Sequence, residues 1–345
     1  MTATRRTVTL ALGAGAAIAA GGLSMSAEAA ARPTLGQVRR LSPALDAVIS
    51  PDAKIEKLAD GFTWSEGPVW VKDGQYLVFS DVPANIMYRW SQKDGKSVFL
   101  SPSGYDGPPT KVFREPGSNG MALDARGDLL VCNHGYRAIT RLDLKTKARS
   151  VVVDRYQGKR FNSPNDLVVA KSGAIYFTDP PYGLEGLDAS PVKELAFNGV
   201  YRLAADGSLA VVDDKLTFPN GVALSPDEKR LYVAVSDPEG PVIMAYDLAA
   251  DGLPTSRKVF FDASALHKAG GPGLPDGMCL DTEGRLYATG PGGVLVITPA
   301  GELIGVIETG GPIANCAFGE DGQTLFLTAD KTLARVRLKT TGLVF

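Results

Sequence analysis

Histidine is scarce in this sequence, and its scarcity excludes several kinds of site. Only His134 and His267 occur among 345 residues. A zinc site with three histidine ligands is therefore impossible, and a catalytic triad built on histidine must use one of these two residues. The sequence also lacks a Gly-x-Ser-x-Gly nucleophile elbow, a glycine-rich phosphate loop and a dinucleotide fingerprint. Serine hydrolases and dinucleotide-binding enzymes are thus disfavoured.

The few cysteines match no disulfide framework and no metal-binding framework. Cys132, Cys279 and Cys316 are odd in number, and each lies in an apolar segment that reads as a strand. We expect all three to be buried free thiols.

Neither sign of charge is in excess. The 36 Lys and Arg residues nearly balance the 38 Asp and Glu residues, which leaves a formal net charge of −2. A dedicated nucleic-acid surface normally shows a strong basic excess, so we expect no nucleic-acid partner. Beyond the N-terminus no stretch is long and apolar enough to cross a bilayer, so we also expect no stable membrane span.

The first 29 residues have the order of an export signal. Arg5 and Arg6 precede an apolar run rich in Ala and Gly, over about residues 8–23, and an Ala-x-Ala pattern ends at Ala29. This start resembles a twin-arginine signal, which the Tat machinery reads when it exports folded proteins to the bacterial periplasm or beyond. A membrane anchor is the alternative interpretation. We take residues 1–29 as the signal peptide and residues 30–49 as an N-terminal extension.

One short pattern recurs six times after residue 50. An Asn, Asp or Glu residue is followed by a few apolar residues, a polar turn and a second apolar segment, as in residues 119–123 and 129–132. Two such segments joined by a turn that contains Gly or Asp predict a β-hairpin. We call the first residue of each copy an anchor. The anchors are 39 to 56 residues apart: Glu66, Asn119, Asn165, Asn220, Asp276 and Asn315.

The repeat predicts an all-β fold, a six-bladed β-propeller over residues 50–345. A period of about 40 to 50 residues with about four strands per unit is typical of propellers. Residues 55–58 read as a strand before the first hairpin, and the chain ends with a strand at residues 333–338. We expect the N-terminal strand to close the last blade, because this removes a weak seam from the ring. A β-sandwich or two domains are the alternatives.

The anchors are expected to meet at one metal site. The innermost strand of each blade starts near the central channel, so residues in the same register point at a shared axis. Two carboxylates and four amides offer oxygen atoms, which suit one divalent cation, Ca²⁺ first, with Mg²⁺, Mn²⁺ or Zn²⁺ as alternatives. The competing interpretation is that Asn-Gly and Asp-Gly are only turn dipeptides. Here, however, the pair precedes a strand and does not join two strands.

Four segments together resemble the marker segments of the senescence marker protein/gluconolactonase (regucalcin-like) family. They are Glu-Gly-Pro-Val-Trp at 66–70, Ser-Pro-Asn-Asp at 163–166, Phe-Pro-Asn-Gly at 218–221 and Leu-Pro-Asp-Gly-Met at 274–278. The resemblance implies a six-bladed propeller with a central divalent cation, in a family of mostly lactone hydrolases related to diisopropyl fluorophosphatase. It further implies that Glu66, Asn165, Asn220 and Asp276 hold the cation and that Asp276 is also the catalytic base or, as in the phosphatase relatives, the nucleophile.

Residues near the anchors are candidates for substrate binding. Residues 133–137 and 178–183 follow the second and third hairpins, where the strands turn over at a face of the disc. Rigid loops without a binding role are the alternative for both segments. With the two remaining anchors, these segments supply six candidate substrate contacts: Asn119, His134, Arg137, Asp179, Tyr182 and Asn315.

Together these features predict a divalent-metal-dependent lactonase that opens a sugar lactone or a small cyclic ester by attack of water. Two alternatives remain open at this stage. The same site could serve a phosphotriesterase or arylesterase activity. A non-enzymatic ligand-binding propeller is also possible, because the fold alone does not imply catalysis.

Overall fold

The computed structural model describes residues 1–2 and 32–343 of the chain. Two units are distinguished, residues 1–31 and residues 32–345. Apart from Met1 and Thr2, the signal peptide predicted over residues 1–29 lies outside the described residues. None of the helices within residues 32–343 has the length and apolar character needed to span a bilayer.

The second unit is built almost entirely from short antiparallel strands. It begins with β1 (Thr34–Leu35), β2 (Gln37–Arg40), a 3₁₀ helix (Pro43–Ala47) and β3 (Ile55–Asp60). Blade one contains β4 (Ser65–Val71), β5 (Tyr76–Asp81), β6 (Ile86–Ser91) and β7 (Gly95–Leu100). Blade two contains β8 (Ser118–Leu123), β9 (Leu129–Asn133), β10 (Ala138–Leu142) and β11 (Arg149–Val153). The small hairpin of β12 (Arg155–Tyr156) and β13 (Lys159–Arg160) follows.

Blades three and four repeat this arrangement. Blade three contains β14 (Leu167–Val169), β15 (Ile175–Asp179), β16 (Gly199–Leu203) and β17 (Leu209–Asp213), with a 3₁₀ helix (Leu187–Ala189) between β15 and β16. Blade four contains β18 (Pro219–Leu224), β19 (Arg230–Val235), β20 (Val242–Asp247) and β21 (Lys258–Asp262). A short helix, α1 (Ser264–Lys268), precedes blade five.

The last two blades combine strands from both ends of the described chain. Blade five contains β22 (Met278–Leu280), β23 (Leu286–Gly290), β24 (Gly293–Ile297) and β25 (Leu303–Glu308), and β2 pairs with β25 at its outer edge. Blade six contains β26 (Asn315–Gly319), β27 (Thr324–Ala329) and β28 (Thr332–Arg337), followed outward by β3 and β1.

The six-bladed propeller and its closure by an N-terminal strand are therefore confirmed. The structure adds that the segment before residue 50, predicted as an extension, supplies strands to two blades. Strand β2 extends blade five and β1 extends blade six, so the ring is joined across its seam on both sides. These strands escaped the sequence analysis because they are two to four residues long and β2 is largely polar, with the sequence Gln-Val-Arg-Arg.

The inner strands of successive blades contact one another in a closed ring around the channel. The glycine after an anchor permits this close approach. A Cβ added to Gly67 would lie 2.1 Å from the carbonyl oxygen of Asn119, and one added to Gly221 would lie 2.1 Å from that of Asp276. Both distances are far below van der Waals contact, so only glycine fits. The Asn-Gly and Asp-Gly pairs are thus sites where adjacent inner strands touch, rather than hairpin turns.

Bulges in three inner strands lie at the anchors. The register of pairing shifts between Glu66 and Val69 in β4, and equivalent shifts occur in β8 and β18 beside Asn119 and Asn220. A bulge bends a strand and re-aims its side chains. The directions of these three anchor side chains are therefore not set by the regular alternation of side chains along a strand.

Candidate active site

All six anchors lie at the starts of the inner strands, at one end of the channel. Glu66, Asn119, Asn165, Asn220 and Asn315 are buried, whereas Asp276 stays partly accessible. Below them, a cavity of about 180 Å³ continues between the inner strands and is bordered at one side by Leu343. The fold thus brings the predicted ligands into one ring and leaves one carboxylate open to small molecules.

The carboxyl groups of the ring are close enough to perturb one another. The pKa of Glu66 is raised to about 8, chiefly by burial; the charges of Asp166 and Glu115 add to the rise, and hydrogen bonds from the Gly67 N–H and from Asn315 oppose it. Burial also raises the pKa of Asp276 well above its usual value, with the charge of Glu66 as the next cause. Such a group of acids can ionise fully only beside a compensating positive charge.

Two amide side chains have their oxygen atoms free for a ligand. Within residues 32–343, Asn119 Oδ1 and Asn220 Oδ1 are buried without a hydrogen-bond partner. Their Nδ2 atoms are held from behind: Asn220 Nδ2 donates to Ser236 Oγ at 2.9 Å, and Asn119 Nδ2 lies 3.4 Å from His134 Nε2. Buried oxygen atoms oriented in this way, next to two carboxylates, fit a hard divalent cation.

The donor set is mixed, and the carboxylates alone do not form a metal cage. In the described part of the chain, no group of three or more His, Cys, Asp or Glu residues is arranged to hold a metal ion. A cation at this ring would therefore depend on amide oxygens as well as on Glu66 and Asp276. Asn315 is less suited to that role, because its Oδ1 already accepts a hydrogen bond from the Cys316 N–H at 2.8 Å.

Hydroxyl groups behind the ring fix the backbone of the anchors. Ser80 Oγ donates to the carbonyl oxygen of Asn119 at 2.9 Å, and Thr178 Oγ1 donates to that of Asn220 at 2.6 Å. Each hydroxyl comes from the second strand of the preceding blade: Ser80 lies in β5 and Thr178 in β15. Ser80 had no signal in the sequence beyond its place at the end of an apolar strand, whereas Thr178 begins the candidate segment 178–183.

His134 is a buried neighbour of an anchor and does not face open solvent. Its side chain is fully buried, and desolvation lowers its pKa to about 3, so the imidazole is neutral at ordinary pH. The imidazole has Asn119 on its Nε2 side and Glu115 on its Nδ1 side, where Nδ1 lies 3.8 Å from a carboxylate oxygen of Glu115. The structure thus places His134 behind Asn119.

Tyr182 lies near the ring with a partly exposed side chain. Its aromatic ring stacks on Phe218 with centroids 5.9 Å apart, which fixes the direction of the hydroxyl group. Burial raises the pKa of Tyr182, and the nearby charges of Asp276 and Glu115 raise it further. The phenol therefore stays protonated and can donate a hydrogen bond close to Asp276.

Arg137 and Asp179 are not brought to the ring. Arg137 Nε donates to the carbonyl oxygens of Phe161 and Asn162 at 2.7 and 3.2 Å. Asp179 Oδ2 accepts the Asn162 N–H at 2.8 Å. Both side chains are buried and turned towards residues 161–162, so the structure gives them the task of holding the loop that leads to Asn165.

Two acidic residues near the ring were missed by the sequence analysis. Asp166 accepts hydrogen bonds from the N–H groups of Leu167 at 2.9 Å and Val222 at 3.3 Å, and burial raises its pKa to about 7. It stands where four other copies of the repeat carry glycine directly after the anchor, and this departure was the available signal. Glu115 lies in a loop outside the repeat, so no pattern marked it.

A six-bladed propeller with an oxygen-rich ring at one end of its channel defines a scaffold for small-molecule chemistry at that ring. The chain belongs to a family with this scaffold. The family model described as the SMP-30/gluconolactonase/LRE-like region matches residues 64–331. The family resemblance inferred from the four marker segments is thereby confirmed.

Several relatives are similar over most of the chain. The gluconolactonase of Zymomonas mobilis is 52% identical over 319 residues, which cover 90% of this chain and 88% of that protein. A gluconolactonase structure from Xanthomonas campestris is 37% identical with a TM-score of 0.75 and covers 89% of this chain and 98% of its own. The diisopropyl-fluorophosphatase of Loligo vulgaris is 25% identical, over 67% of this chain and 73% of that protein.

Proposed function

We propose that this chain is a lactonase of the gluconolactonase type, which opens a sugar lactone or a similar small cyclic ester with the help of one divalent cation. The observation that carries the proposal is the ring itself. The charge of Glu66 acts on Asp276, and in the same ring the Oδ1 atoms of Asn119 and Asn220 are buried without a hydrogen-bond partner within residues 32–343. The 52% identity to a gluconolactonase supports the choice of substrate class.

The family resemblance implies that Glu66, Asn165, Asn220 and Asp276 would hold the cation, and the unpartnered Asn119 Oδ1 is a further candidate donor; Ca²⁺ is the first candidate for an all-oxygen set. A bound divalent cation supplies Lewis acidity towards a carbonyl oxygen and lowers the pKa of water. The raised pKa values of Glu66 and Asp276 follow from burial without a positive charge, and a cation would reverse them.

Asp276 is assigned two roles and Glu66 one. Asp276 is partly accessible, so it can accept a proton from an attacking water molecule. Glu66 is 3% exposed and its Oε2 already accepts the Gly67 N–H at 2.8 Å, which suits a ligand only. The Tyr182 hydroxyl, which stays protonated near Asp276, would donate a hydrogen bond to the substrate.

The charges around the ring favour an uncharged substrate. Four acids interact there, Glu66, Glu115, Asp166 and Asp276. A positive charge lies beside them on Arg114, which forms an ion pair with Glu115 at 2.5 Å. An anionic lactone would meet repulsion from these carboxylates, whereas a neutral polyhydroxy lactone could donate hydrogen bonds to them.

A phosphotriesterase or arylesterase activity at the same ring is the second candidate. The similarity to the diisopropyl-fluorophosphatase of Loligo vulgaris favours it over a purely binding role. Its lower identity makes it the weaker of the two proposals.

The proposal is tested by acid release from gluconolactone and from an aryl ester, with chelator and after readdition of Ca²⁺. We expect lactone hydrolysis that the chelator abolishes and Ca²⁺ restores. Activity that survives complete metal removal would contradict the cation. Activity on the aryl ester alone would favour the second candidate, and acid release from neither substrate with Ca²⁺ present would favour a binding protein.

Two variants separate the roles of the carboxylates. Asp276→Asn keeps an oxygen ligand of the same size, so Ca²⁺ should still bind in calorimetry while turnover falls by roughly 10²–10⁴-fold. Glu66→Gln should weaken Ca²⁺ binding, with turnover recovering at higher Ca²⁺. Glu283→Gln, at an exposed turn between β22 and β23, is the control and should change neither property. Full rescue of Asp276→Asn by added Ca²⁺ would reduce Asp276 to a ligand.

A further inference from the structure

Two of the three thiols lie side by side on neighbouring blades. The Sγ atoms of Cys279 and Cys316 are 3.6 Å apart, which is van der Waals contact. Cys279 is in β22, the inner strand of blade five, and Cys316 is in β26, the inner strand of blade six. The third thiol, Cys132, is buried in β9 of blade two. The residues of the pair are 37 positions apart, so their contact is made by the ring and not by local sequence.

From this contact we infer that Cys279 and Cys316 form a redox-active pair, which closes to a disulfide between blades five and six. A disulfide needs its two sulfur atoms about 2.05 Å apart, so the pair must approach by roughly 1.5 Å. Rotation about the Cα–Cβ bonds of two side chains already in contact can supply most of this movement. Both residues also border the channel cavity of about 180 Å³, and Cys279 is partly exposed.

The reduced pair has its own stabilising contact. Cys316 Sγ lies 3.3 Å from the carbonyl oxygen of Tyr287, to which its thiol donates. Tyr287 is the residue of β23 that pairs with Cys279. The thiol of blade six is thus already hydrogen-bonded to the sheet of blade five, and oxidation would replace this weak hydrogen bond by a covalent bond to the same sheet.

The chemistry balances with a small-molecule disulfide as the oxidant. The thiolate of Cys279, the more accessible of the two, attacks a sulfur atom of the reagent and displaces one reagent thiolate. The thiolate of Cys316 then attacks the Cys279 sulfur atom of the mixed disulfide and displaces the second. Two electrons pass to the reagent, and the two protons of the pair end on the released thiols. Burial raises the pKa of Cys279 well above its usual value, so the closure should be slow at pH 7 and faster in alkaline solution.

The bond would tie the ring together just below the candidate active site. Cys279 follows Asp276 by three positions, and the Cys316 N–H is the donor to Asn315 Oδ1. Blades five and six are also the two blades that receive N-terminal strands. A covalent link between their inner strands would reinforce the seam beside the channel, whereas β1 and β2 reinforce the same seam at the outer rim. Export to an oxidising compartment, which the N-terminal sequence predicts, would favour the closed form.

The test uses the purified full chain, first reduced and then incubated at pH 8.5 with oxidised glutathione. We expect the intact mass to fall by the two hydrogen atoms of the pair and the alkylatable thiols of the unfolded chain to fall from three to one. Digestion should yield one cross-linked peptide that contains Cys279 and Cys316. The Tm should rise by about 3–6 °C and return with reductant.

Matched serine variants decide between closure and simple surface oxidation. Cys132→Ser should close as the natural chain does and leave no alkylatable thiol, whereas Cys279→Ser should keep its mass except for any glutathione adduct. Three thiols that persist in the natural chain, or a glutathione adduct on Cys279 that never resolves, would overturn the inference. Both readouts on the natural chain stand even if a serine variant fails to fold.

Discussion

The contact between Gly221 and the backbone of Asp276 links packing to catalysis, and Gly221→Ala tests this link. The Cβ of alanine at this position would lie 2.1 Å from the Asp276 carbonyl oxygen and 2.8 Å from the Gly277 Cα. All of the nearest atoms belong to the backbone, so no flexible side chain can move aside. The start of blade five, including Asp276, has to retreat from blade four.

The size of the effect follows from these distances. An ordinary contact begins near 3.4 Å, so the backbone of Asp276 must shift by roughly 1 Å or the two blades must separate by that amount. Overpacking of this kind costs about 1–3 kcal/mol of folding free energy, which corresponds to a Tm lower by roughly 1.5–4.5 °C in a chain of this size. A displacement of about 1 Å at a catalytic group can cost 10²-fold in rate. We therefore expect kcat/KM to fall by about 10²-fold while the protein stays folded at 25 °C.

Thermal unfolding followed by circular dichroism and lactone hydrolysis followed by acid release measure both effects. Gly240→Ala is the matched control, because it lies in the same blade and an added Cβ there meets no described atom within 4 Å. The control should keep the activity and the Tm of the natural chain. If Gly221→Ala matches the control within about twofold in kcat/KM and about 1 °C in Tm, the inner strands are not in rigid contact and the argument fails.

Two further predictions concern buried groups beside the ring. His134→Phe removes the partner of Asn119 Nδ2, so we expect kcat/KM to fall by about 10-fold, with partial recovery in His134→Gln. The pH profile of kcat/KM should keep its shape, because the imidazole is neutral above about pH 3. The loss of a titration step near pH 6–7 in either variant would instead make His134 a proton acceptor. Burial raises the pKa of Asp179 to about 7 from 3.8, so the folded chain binds the extra proton and loses stability as the pH rises from about 4 to 7. Asp179→Asn should reduce this slope and raise the unfolding free energy at pH 8 by about 1–3 kcal/mol in denaturant titrations; an unchanged slope would contradict the burial argument.

The sequence predicted on which face of the propeller each polar residue lies better than it predicted how far the residue lies from the central axis. Asn165 and Asp179 both lie at the end of a strand on the same face of blade three, and hydrophobic alternation cannot tell the inner strand from the second one. Asn165 therefore lies in the ring, whereas Asp179 binds a loop behind it. The orientation of His134 was hidden for the same reason. The anchors were predictable because they share one register in six copies.

Other parts of the site left no pattern to detect. Glu115 reaches the ring from a loop that occurs once, so only the folded chain shows its approach to His134. The contact of Cys279 with Cys316 arises because blades five and six are neighbours in the ring, while the two residues occupy different positions relative to their anchors. Side-chain contacts between blades depend on the angle between inner strands, and a repeat in one chain carries no information on that angle.

The composition of blade six has a consequence for how the protein is made. Its inner strands come from residues 315–337 and its outer strands from residues 34–60, so Asp60 pairs with Thr332 across most of the chain. A ribosome must release nearly the whole polypeptide before this blade can assemble. Until then the strand of residues 55–60 has no partner from blade six, and its unpaired edge is a template for aggregation. Contacts this distant in sequence also form slowly. The nascent chain therefore spends its synthesis as an open arc of sheets, and the step that makes it a ring comes last.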